Sequence, residues 1–271
     1  MMDWQDVPMD VARLGPAAWL RVVWRGLLLG LVTYGCLAVL LLVRLVEWPL
    51  CGARRPVTPY ITMFVCRMAF VILRLPLRVR GTPLVGMGAV VANHASWLDI
   101  FALNACQRVY FVAKSEVSGW PGIGWLARAT GTVFIRRKVA EAKLHRDVLT
   151  DRLQMGHQLL FFPEGTSTDA ARVLPFKSTL FEAFFTADVK HDLQVQPVTV
   201  IYHAPRGQDA RYYGWWGDMD FAPHLLLTLA TAPQGAVEVV FHAPVRVAEF
   251  AGRKDLAAYC EAQVRSAHPG G

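Results

Sequence analysis

Charged side chains are scarce in this 271-residue chain. Asp, Glu, Lys and Arg make up 18% of it, whereas hydrophobic residues make up 54%. An average soluble domain contains more charge and less apolar material. This balance predicts that part of the chain contacts lipid.

The chain also lacks the cysteine patterns of stabilised extracellular or metal-binding domains. Its five cysteines form no C-x-x-C spacing and no cluster with histidine. Structural zinc sites and disulfide frameworks both depend on such pairs. We therefore expect reduced thiols, no disulfides and no metal site. The sequence also has no internal repeats, which argues against a repeat architecture.

The net charge of +7 implies an anionic partner, and both a nucleic acid and an anionic membrane surface fit that charge. Between residues 44 and 80, arginines alternate with aromatic side chains such as Trp48, Phe64 and Phe70, and Glu47 is the single acid. This mixture is typical of a lipid headgroup layer, and no nucleic-acid motif accompanies it. We expect an anionic membrane surface as a partner and no nucleic acid.

An uncharged apolar run extends from Gly26 to Val43, between Arg25 and Arg44. As a helix it would be about 27 Å long, close to the hydrocarbon core of roughly 30 Å. It is too long for the apolar region of a signal peptide, and no small-residue cleavage site follows. The run predicts a membrane helix. Because basic residues balance on its two flanks, a spanning helix and one that dips into a single leaflet both stay open.

A second apolar segment follows from Tyr60 to Leu75, with apolar residues at helical spacing and Arg67 and Arg74 off that stripe. An interfacial amphipathic helix and a helix packed on the protein core both fit this pattern. We therefore expect residues 1–80 to form membrane-associated N-terminal helices and residues 81–271 to form one globular domain.

After Gly81, short β-branched or aromatic runs alternate with helical stretches, and Gly or Pro separates them. This alternation predicts an α/β fold in which a largely parallel sheet is flanked by helices, with an N-terminal membrane-associated helical arm. The predicted strands cover residues 89–92, 109–113, 132–135, 158–162, 195–201 and 237–241, and the predicted helices cover residues 97–105, 122–130, 140–155, 178–188 and 224–231.

His94 follows a predicted strand and precedes a predicted helix, where side chains are exposed at the end of a sheet. Asp99 is five residues later, about 140° around a regular helix, so the two meet only if His94 lies in the turn and Ser96 caps the helix. Asp99 would then fix the imidazole tautomer and leave the other nitrogen to take a proton from an alcohol. A helix-start histidine beside an acid favoured by the helix dipole is the alternative.

The segment Pro163-Glu164-Gly165-Thr166 follows another predicted strand. An acid, a glycine and a hydroxyl residue at a strand end supply hydrogen-bond acceptors and close backbone approach for a charged or polyhydroxy headgroup. Taken alone, the segment also fits a simple turn.

Together the two segments resemble the glycerolipid (lysophosphatidic acid) acyltransferase family. Asn93-His94 with Asp99, followed some seventy residues later by Phe-Pro-Glu-Gly-Thr ending at Thr166, is similar to that family's first and third motifs. Residues 131–137 resemble its phosphate-contacting block, and residues 195–200 resemble its apolar acyl-site block. The resemblance covers residues 93 to 200.

The resemblance implies an acyl transfer without a covalent enzyme intermediate. His94, oriented by Asp99, would deprotonate the hydroxyl of a lysolipid acceptor, which then attacks the thioester of an acyl-carrier-protein or acyl-CoA donor. The donor is a co-substrate, so no cofactor is expected. Residues 81–271 would be the catalytic domain, facing the cytoplasm at the inner membrane of a bacterium.

The resemblance also implies substrate-binding residues. Glu164, Gly165 and Thr166 would shape the acceptor site, while Arg136, with Arg137 and Lys114, would hold an anionic headgroup. Pro197 falls in the acyl-site block, and Asn93 and Pro163 complete the motifs. Arg136 and Arg137 also fit a solvated strand end, and Pro197 also fits a structural role.

Two departures from the common family pattern affect the expected acceptor. Ser167 stands where phosphatidate-forming members often carry Arg, and the segment from Phe176 to Phe181 replaces a Lys-Lys-Gly-like stretch. The lost positive charge weakens the case for a phosphate headgroup. With the segment from Trp215 to His224, this resembles the bacterial branch that includes lyso-ornithine lipid acyltransferases. We expect lyso-ornithine lipid, 1-acylglycerol-3-phosphate or both as acceptors. A strict 1-acylglycerol-3-phosphate acyltransferase, a metal-dependent hydrolase and a catalytically silent lipid-binding protein are the alternatives.

Overall fold

The protein, seen in a computed structural model that describes residues 14–136 and 142–270, is built on one eight-stranded sheet. The strands are β1 (Leu77–Arg80), β2 (Gly88–Ala92), β3 (Tyr110–Lys114), β4 (Val133–Ile135), β5 (Gln158–Phe161), β6 (Gln194–His203), β7 (Ala236–Phe241) and β8 (Val245–Arg246). Their order is β1-β7-β6-β2-β5-β3-β4, and β8 pairs with β6.

The centre of the sheet is parallel. Strands β6, β2, β5, β3 and β4 run in one direction, while β7 is antiparallel to β6 and parallel to β1. The predicted α/β fold with a largely parallel sheet is therefore confirmed. Parallel strands place their carboxyl ends at one edge, so the loops that follow β2 and β5 meet there.

The helices are α1 (Pro16–Cys51), α2 (Thr58–Leu73), α3 (Leu98–Cys106), α4 (Ile123–Thr130), α5 (Ala142–Gln154), α6 (Phe221–Ala230) and α7 (Arg253–Ala267). The predicted α-helix at residues 178–188 is wrong, because 3-10 turns occupy Ser178–Phe185. Phe181 and Phe184 are both buried there, and a spacing of three suits the three-residue turn of a 3-10 helix. Strand β1 and helix α7 were not expected.

Strand β2 lies in the middle of the core. All five of its residues are buried. Val90 and Ala92 belong to a hydrophobic cluster on one face of the sheet, and Ala89 and Val91 belong to a second cluster on the other face. Burial on both faces explains the continuous apolar run of this strand. The residues that follow β2 are therefore attached to a fully buried strand at the centre of the sheet.

Helix α1 has 36 residues, twice the expected length, and is about 54 Å long. It is long and apolar enough to cross a membrane, by length and composition. Many of its apolar side chains are exposed, among them Leu20, Trp24, Leu27 and Leu31.

Two arginines join α1 to the globular part of the protein. Arg25 is 5% exposed and donates to the carbonyls of Leu229 and Thr231, at 2.7 and 2.6 Å. Arg21 donates to the carbonyl of Ala230 at 2.6 Å. These are the last carbonyls of α6, which lack partners inside their own helix. Arg25, which precedes the apolar run in the sequence, is thus bonded to protein, and α1 continues through it.

Helix α2 shares the core of the sheet. Cys66, Phe70 and Leu73 lie in the same cluster as Ala92 and Leu98, so this face of α2 packs on protein. Its opposite face carries exposed apolar and aromatic side chains, including Tyr60, Phe64 and Val71. The expected division at residue 80 does not coincide with a break in the core, because β1 pairs with β7 and belongs to the sheet.

The basic stretch between residues 44 and 80 is partly used inside the fold. Four of its arginines make internal contacts: Arg44 with Glu47, Arg55 with the carbonyl of Ala129, Arg67 with the carbonyl of Ala105 and Arg80 with Glu238. The sequence pattern had suggested that these side chains face a headgroup layer. Their contacts show that part of the positive charge holds α1, α2 and the sheet together.

Candidate active site

His94 and Glu164 meet because the strands that precede them are neighbours. Strand β2 pairs with β5 in parallel, with Val91 opposite Phe161. The loops that leave these strands therefore start side by side at the carboxyl edge of the sheet. The backbone N–H of His94 donates to Glu164 Oε1 at 2.7 Å, and the carbonyl of His94 accepts from the N–H of Thr168 at 2.8 Å.

The imidazole of His94 pairs with Asp99 across the turn before α3. Its Nδ1 lies 2.7 Å from Asp99 Oδ2. The side chain of Asp99 is fully buried, while that of His94 is 20% exposed. The imidazole also stacks on Phe162, with ring centroids 4.1 Å apart. With Nδ1 bonded to the carboxylate, Nε2 is the nitrogen that can accept a proton.

Asp99 and Ser96 both accept backbone N–H groups at the start of α3. Asp99 Oδ2 accepts those of Ala95 and Ser96, at 2.8 and 3.0 Å. Ser96 Oγ accepts that of Leu98 at 3.4 Å, a long hydrogen bond, although the N-cap residue of α3 is Trp97. A carboxylate is the better acceptor for two N–H groups at the positive end of a helix. The same contacts hold the carboxylate against His94.

Glu164 lies beneath the site. It is 1% exposed, and its Oε2 accepts the N–H of Leu174 at 2.9 Å while Oε1 accepts that of His94. Burial raises the pKa of its carboxyl group to about 8. Both oxygens thus bond to backbone, so the carboxyl group supports the loop of His94. Direct contact of Glu164 with an acceptor stays a prediction.

A partly exposed histidine paired with a buried aspartate at the carboxyl edge of a parallel sheet can act as a general base toward a hydroxyl group. Residues 80–201 match the family model described as Acyltransferase. The chain is 60% identical to a lyso-ornithine lipid O-acyltransferase from Rhodobacter capsulatus, over 91% of this chain and 89% of that one. The chain belongs to the acyltransferase family. A Brucella abortus protein of the same description is 39% identical, over 69% of this chain and 71% of its own.

The fold of this acyltransferase also has a solved counterpart. The crystal structure of the 1-acyl-sn-glycerophosphate acyltransferase from Thermotoga maritima is similar with a TM-score of 0.64, over 92% of this chain and 93% of that one. Their sequences are 22% identical, so the likeness is one of fold.

The acyltransferase carries two of the predicted cationic residues at the same edge of the sheet. Strands β3 and β4 are parallel, and Lys114 is opposite Ile135, the residue before Arg136. Both side chains are exposed. The backbone N–H of Arg136 faces His145 Nε2 at 3.3 Å. Arg137 lies outside the described residues. A headgroup contact by these side chains stays a prediction.

The residues from Pro163 to Thr166 differ in backbone conformation and in exposure. Gly165 has a φ of 76°, a left-handed conformation that glycine adopts without strain. The carbonyl of Pro163 accepts the N–H of Lys177 at 3.0 Å. Thr166 is exposed, and its contact with a substrate of the acyltransferase stays a prediction.

Asn93 and Pro197 lie within the sheet of the acyltransferase. The Asn93 amide accepts from the N–H of Val200 at 2.8 Å and donates to its carbonyl at 2.9 Å. These two hydrogen bonds tie the end of β2 to β6. Pro197 is buried in β6, opposite Val91, the next-to-last residue of β2. Its role at an acyl site stays a prediction, and its position is that of a core residue.

Three aromatic residues near His94 make contacts that the sequence did not predict. Tyr202, near the end of β6, donates to Asp99 Oδ1 at 2.5 Å. The N–H of Trp215 donates to the carbonyl of Ala95 at 2.8 Å, and Trp97 Nε1 donates to His224 Nδ1 at 2.9 Å. Burial lowers the pKa of His224 to about 4, so its ring stays neutral and can accept. The available sequence signal for Tyr202 was its position directly after the predicted strand at residues 195–201.

Among the described residues, His94 and Asp99 do not belong to a cluster that could hold a metal ion. Within residues 14–136 and 142–270, no group of three or more His, Cys, Asp or Glu side chains is placed to hold a metal ion. A metal-dependent hydrolase would need His94, Asp99 and Glu164 as its ligands, but Glu164 directs its oxygens to backbone N–H groups.

Proposed function

We propose that this acyltransferase transfers a fatty acyl group from a thioester donor to the free hydroxyl of lyso-ornithine lipid. The choice of acceptor rests on the 60% identity with the Rhodobacter capsulatus lyso-ornithine lipid O-acyltransferase, over 91% of this chain. The donor is acyl-carrier protein or acyl-CoA. Acylation of 1-acylglycerol-3-phosphate is a second activity of the same site, since the motifs of that family are present.

The geometry of His94 supports a direct transfer. Nε2 takes the proton of the acceptor hydroxyl while Asp99 holds Nδ1–H at 2.7 Å. The oxygen attacks the thioester carbonyl, the carbon–sulfur bond breaks, and the proton passes from His94 to the departing thiolate. A positioned general base of this kind contributes about 10²- to 10⁴-fold in rate.

The headgroup site is proposed at the exposed edge formed by Lys114, Arg136 and Thr166. An ornithine headgroup has a carboxylate and a phosphatidate precursor has a phosphate, and a guanidinium binds both in two-pronged hydrogen bonds. Arg136 therefore contributes affinity for either acceptor. Arg137 is proposed to add positive charge at the same place.

The membrane arrangement is proposed to be in-plane. Helix α1 contacts the globular part from Arg25, bonded to the end of α6, to Glu47, which accepts from Val57 N and Thr58 Oγ1 at the start of α2. If α1 crossed the bilayer, the loops that it contacts would enter hydrocarbon, where irregular backbone is costly. We infer that α1 and α2 lie in one leaflet of the bacterial inner membrane, on anionic lipid, with the catalytic domain in the cytoplasm.

The test offers lyso-ornithine lipid and 1-acylglycerol-3-phosphate side by side to the purified enzyme, with acyl-CoA and acyl-carrier-protein donors. The measured quantity is kcat/KM for each pair. We expect a higher value for lyso-ornithine lipid, and no transfer by His94→Ala in a protein that stays folded and membrane-bound. Exclusive use of 1-acylglycerol-3-phosphate would contradict the proposed acceptor, and full activity of His94→Ala would contradict the mechanism.

Arg136→Ala tests the headgroup site in the same assay. We expect KM for the acceptor to rise with kcat little changed, because the side chain binds ground and transition states alike. Arg253→Ala, at the start of α7, is the matched control because it also removes one arginine charge and should leave KM unchanged. Equal values for the two variants would remove Arg136 from the site.

A further inference from the structure

The two oxygens of Asp99 have different tasks. Oδ2 accepts from His94 Nδ1 and from the N–H groups of Ala95 and Ser96. Oδ1 accepts from Tyr202 Oη at 2.5 Å. Tyr202 is 103 residues from Asp99 in sequence and lies outside the motif blocks that predicted the pair.

Tyr202 is held rigidly. It is 6% exposed and its ring lies 5.8 Å from that of Tyr213. Two residues earlier on β6, Val200 is bonded through its N–H and its carbonyl to the side chain of Asn93, the residue before His94. The strand that carries Tyr202 and the turn that carries His94 are therefore fixed to each other.

We propose that Tyr202 is a positioning residue for acyl transfer, acting through Asp99. The inference rests on the proposed function. The terminal torsion of an aspartate is soft and has broad minima, and the hydroxyl of Tyr202 selects the orientation in which Oδ2 faces His94. Its donated hydrogen bond also draws negative charge toward Oδ1, so it weakens the hold of the carboxylate on the imidazole proton.

The phenol is suited to that role as a donor. Burial, and after it the charge of Asp99, raises the pKa of Tyr202, so the hydroxyl keeps its proton at the pH of the reaction. The other titratable groups near Asp99 are His94 in the turn, Glu164 in the loop after β5 and Tyr213 beside Tyr202. Burial raises the pKa of Glu164 to about 8, and its oxygens accept from the backbone of His94 and Leu174.

The test compares the wild-type enzyme with Tyr202→Phe and with 3-fluorotyrosine incorporated at position 202. Phenylalanine removes the hydrogen bond, whereas fluorine makes the phenol more acidic and strengthens it. Tyr212→Phe is the matched control. Tyr212 is buried in the same hydrophobic cluster, and its hydroxyl lies 2.5 Å from Thr231 Oγ1.

For Tyr202→Phe we expect kcat to fall by about 10- to 100-fold, the effect of one hydrogen bond to a charged group, with KM within about threefold. The acidic limb of the kcat/KM profile should move to higher pH, because Asp99 then holds the imidazole proton more strongly. With 3-fluorotyrosine the same limb should move to lower pH. Tyr212→Phe should leave the limb in place.

The opposite shifts of the acidic limb in the two Tyr202 variants distinguish a positioning role from a loss of packing. A purely structural tyrosine would lower activity at every pH and leave the limb where it is in both variants. The proposal is overturned if neither Tyr202 variant moves the limb, or if Tyr202→Phe matches the wild type in kcat. If Tyr202→Phe does not fold, the fluorinated enzyme alone decides between these results. An inactive wild-type enzyme would instead contradict the proposed function.

Discussion

Replacing Glu164 by Gln separates two contributions of this side chain to stability: its hydrogen bonds and the cost of a buried charge. Glu164 accepts backbone N–H groups on both oxygens, from His94 at 2.7 Å and from Leu174 at 2.9 Å. A glutamine has one acceptor oxygen, and its NH₂ group would face the second N–H. The lost bond should cost about 1–3 kcal/mol at every pH.

The cost of the charge depends on pH. Burial raises the pKa of Glu164 from its usual 4.5 to about 8, so the folded protein binds this proton more tightly than the unfolded chain. The resulting stability is complete below pH 4.5 and is lost as pH rises through 8. A shift of this size corresponds to roughly 5 kcal/mol, at about 1.4 kcal/mol per pKa unit. The glutamine side chain has no proton to lose, so Glu164→Gln lacks this dependence.

Melting temperature measured by intrinsic fluorescence in detergent, from about pH 5 to about pH 8.5, tests this reasoning. The variant should melt below the wild type at the acidic end and at or above it at the alkaline end, a relative change on the order of 10 °C. Glu164→Asp keeps the ionisable group and should retain the pH dependence of the wild type. Parallel curves for wild type and Glu164→Gln would refute a buried carboxyl group with a raised pKa.

Two further substitutions test the catalytic pair and the attachment of α1. Asp99→Asn should lower kcat by about 10²- to 10⁴-fold with little change in KM, because the neutral amide no longer stabilises the protonated imidazole. Steady-state kinetics measure both constants. An unchanged kcat would contradict the role of Asp99. Arg25→Met should lower the unfolding free energy by about 2–4 kcal/mol, since the carbonyls of Leu229 and Thr231 lose a charged donor. Denaturant unfolding measures that loss. Membrane fractionation should show that the variant is still bound through the exposed face of α1. An unchanged unfolding free energy would mean that the hydrogen bonds of Arg25 contribute nothing to stability.

Local patterns were sufficient where each residue's environment is set by its neighbours in sequence. The six predicted strands are all present, because short β-branched or aromatic runs bounded by turn residues favour strands. The requirement that His94 and Asp99 meet across a turn also follows from helix geometry alone, and the structure places their atoms 2.7 Å apart.

The interpretation of charge was less reliable, since a charge in sequence does not show its partner. Arg25 appeared to end the apolar run, yet it binds carbonyls of α6 more than two hundred residues away. Glu164 had the composition of a headgroup ligand, yet its oxygens are used by backbone N–H groups from two other segments. In each case the partner belongs to a distant part of the chain.

The sequence by itself determined the α/β class and the family, and it predicted the contact of His94 with Asp99, because these depend on periodicity and on short motifs of residues close together in the chain. Only the tertiary structure decided how the pair is supported. The parallel sheet brings the ends of β2, β5 and β6 to one edge, so Glu164 holds the backbone of His94 and Tyr202 holds Asp99. Such contacts arise from strand order, and strand order is set by packing across the whole core.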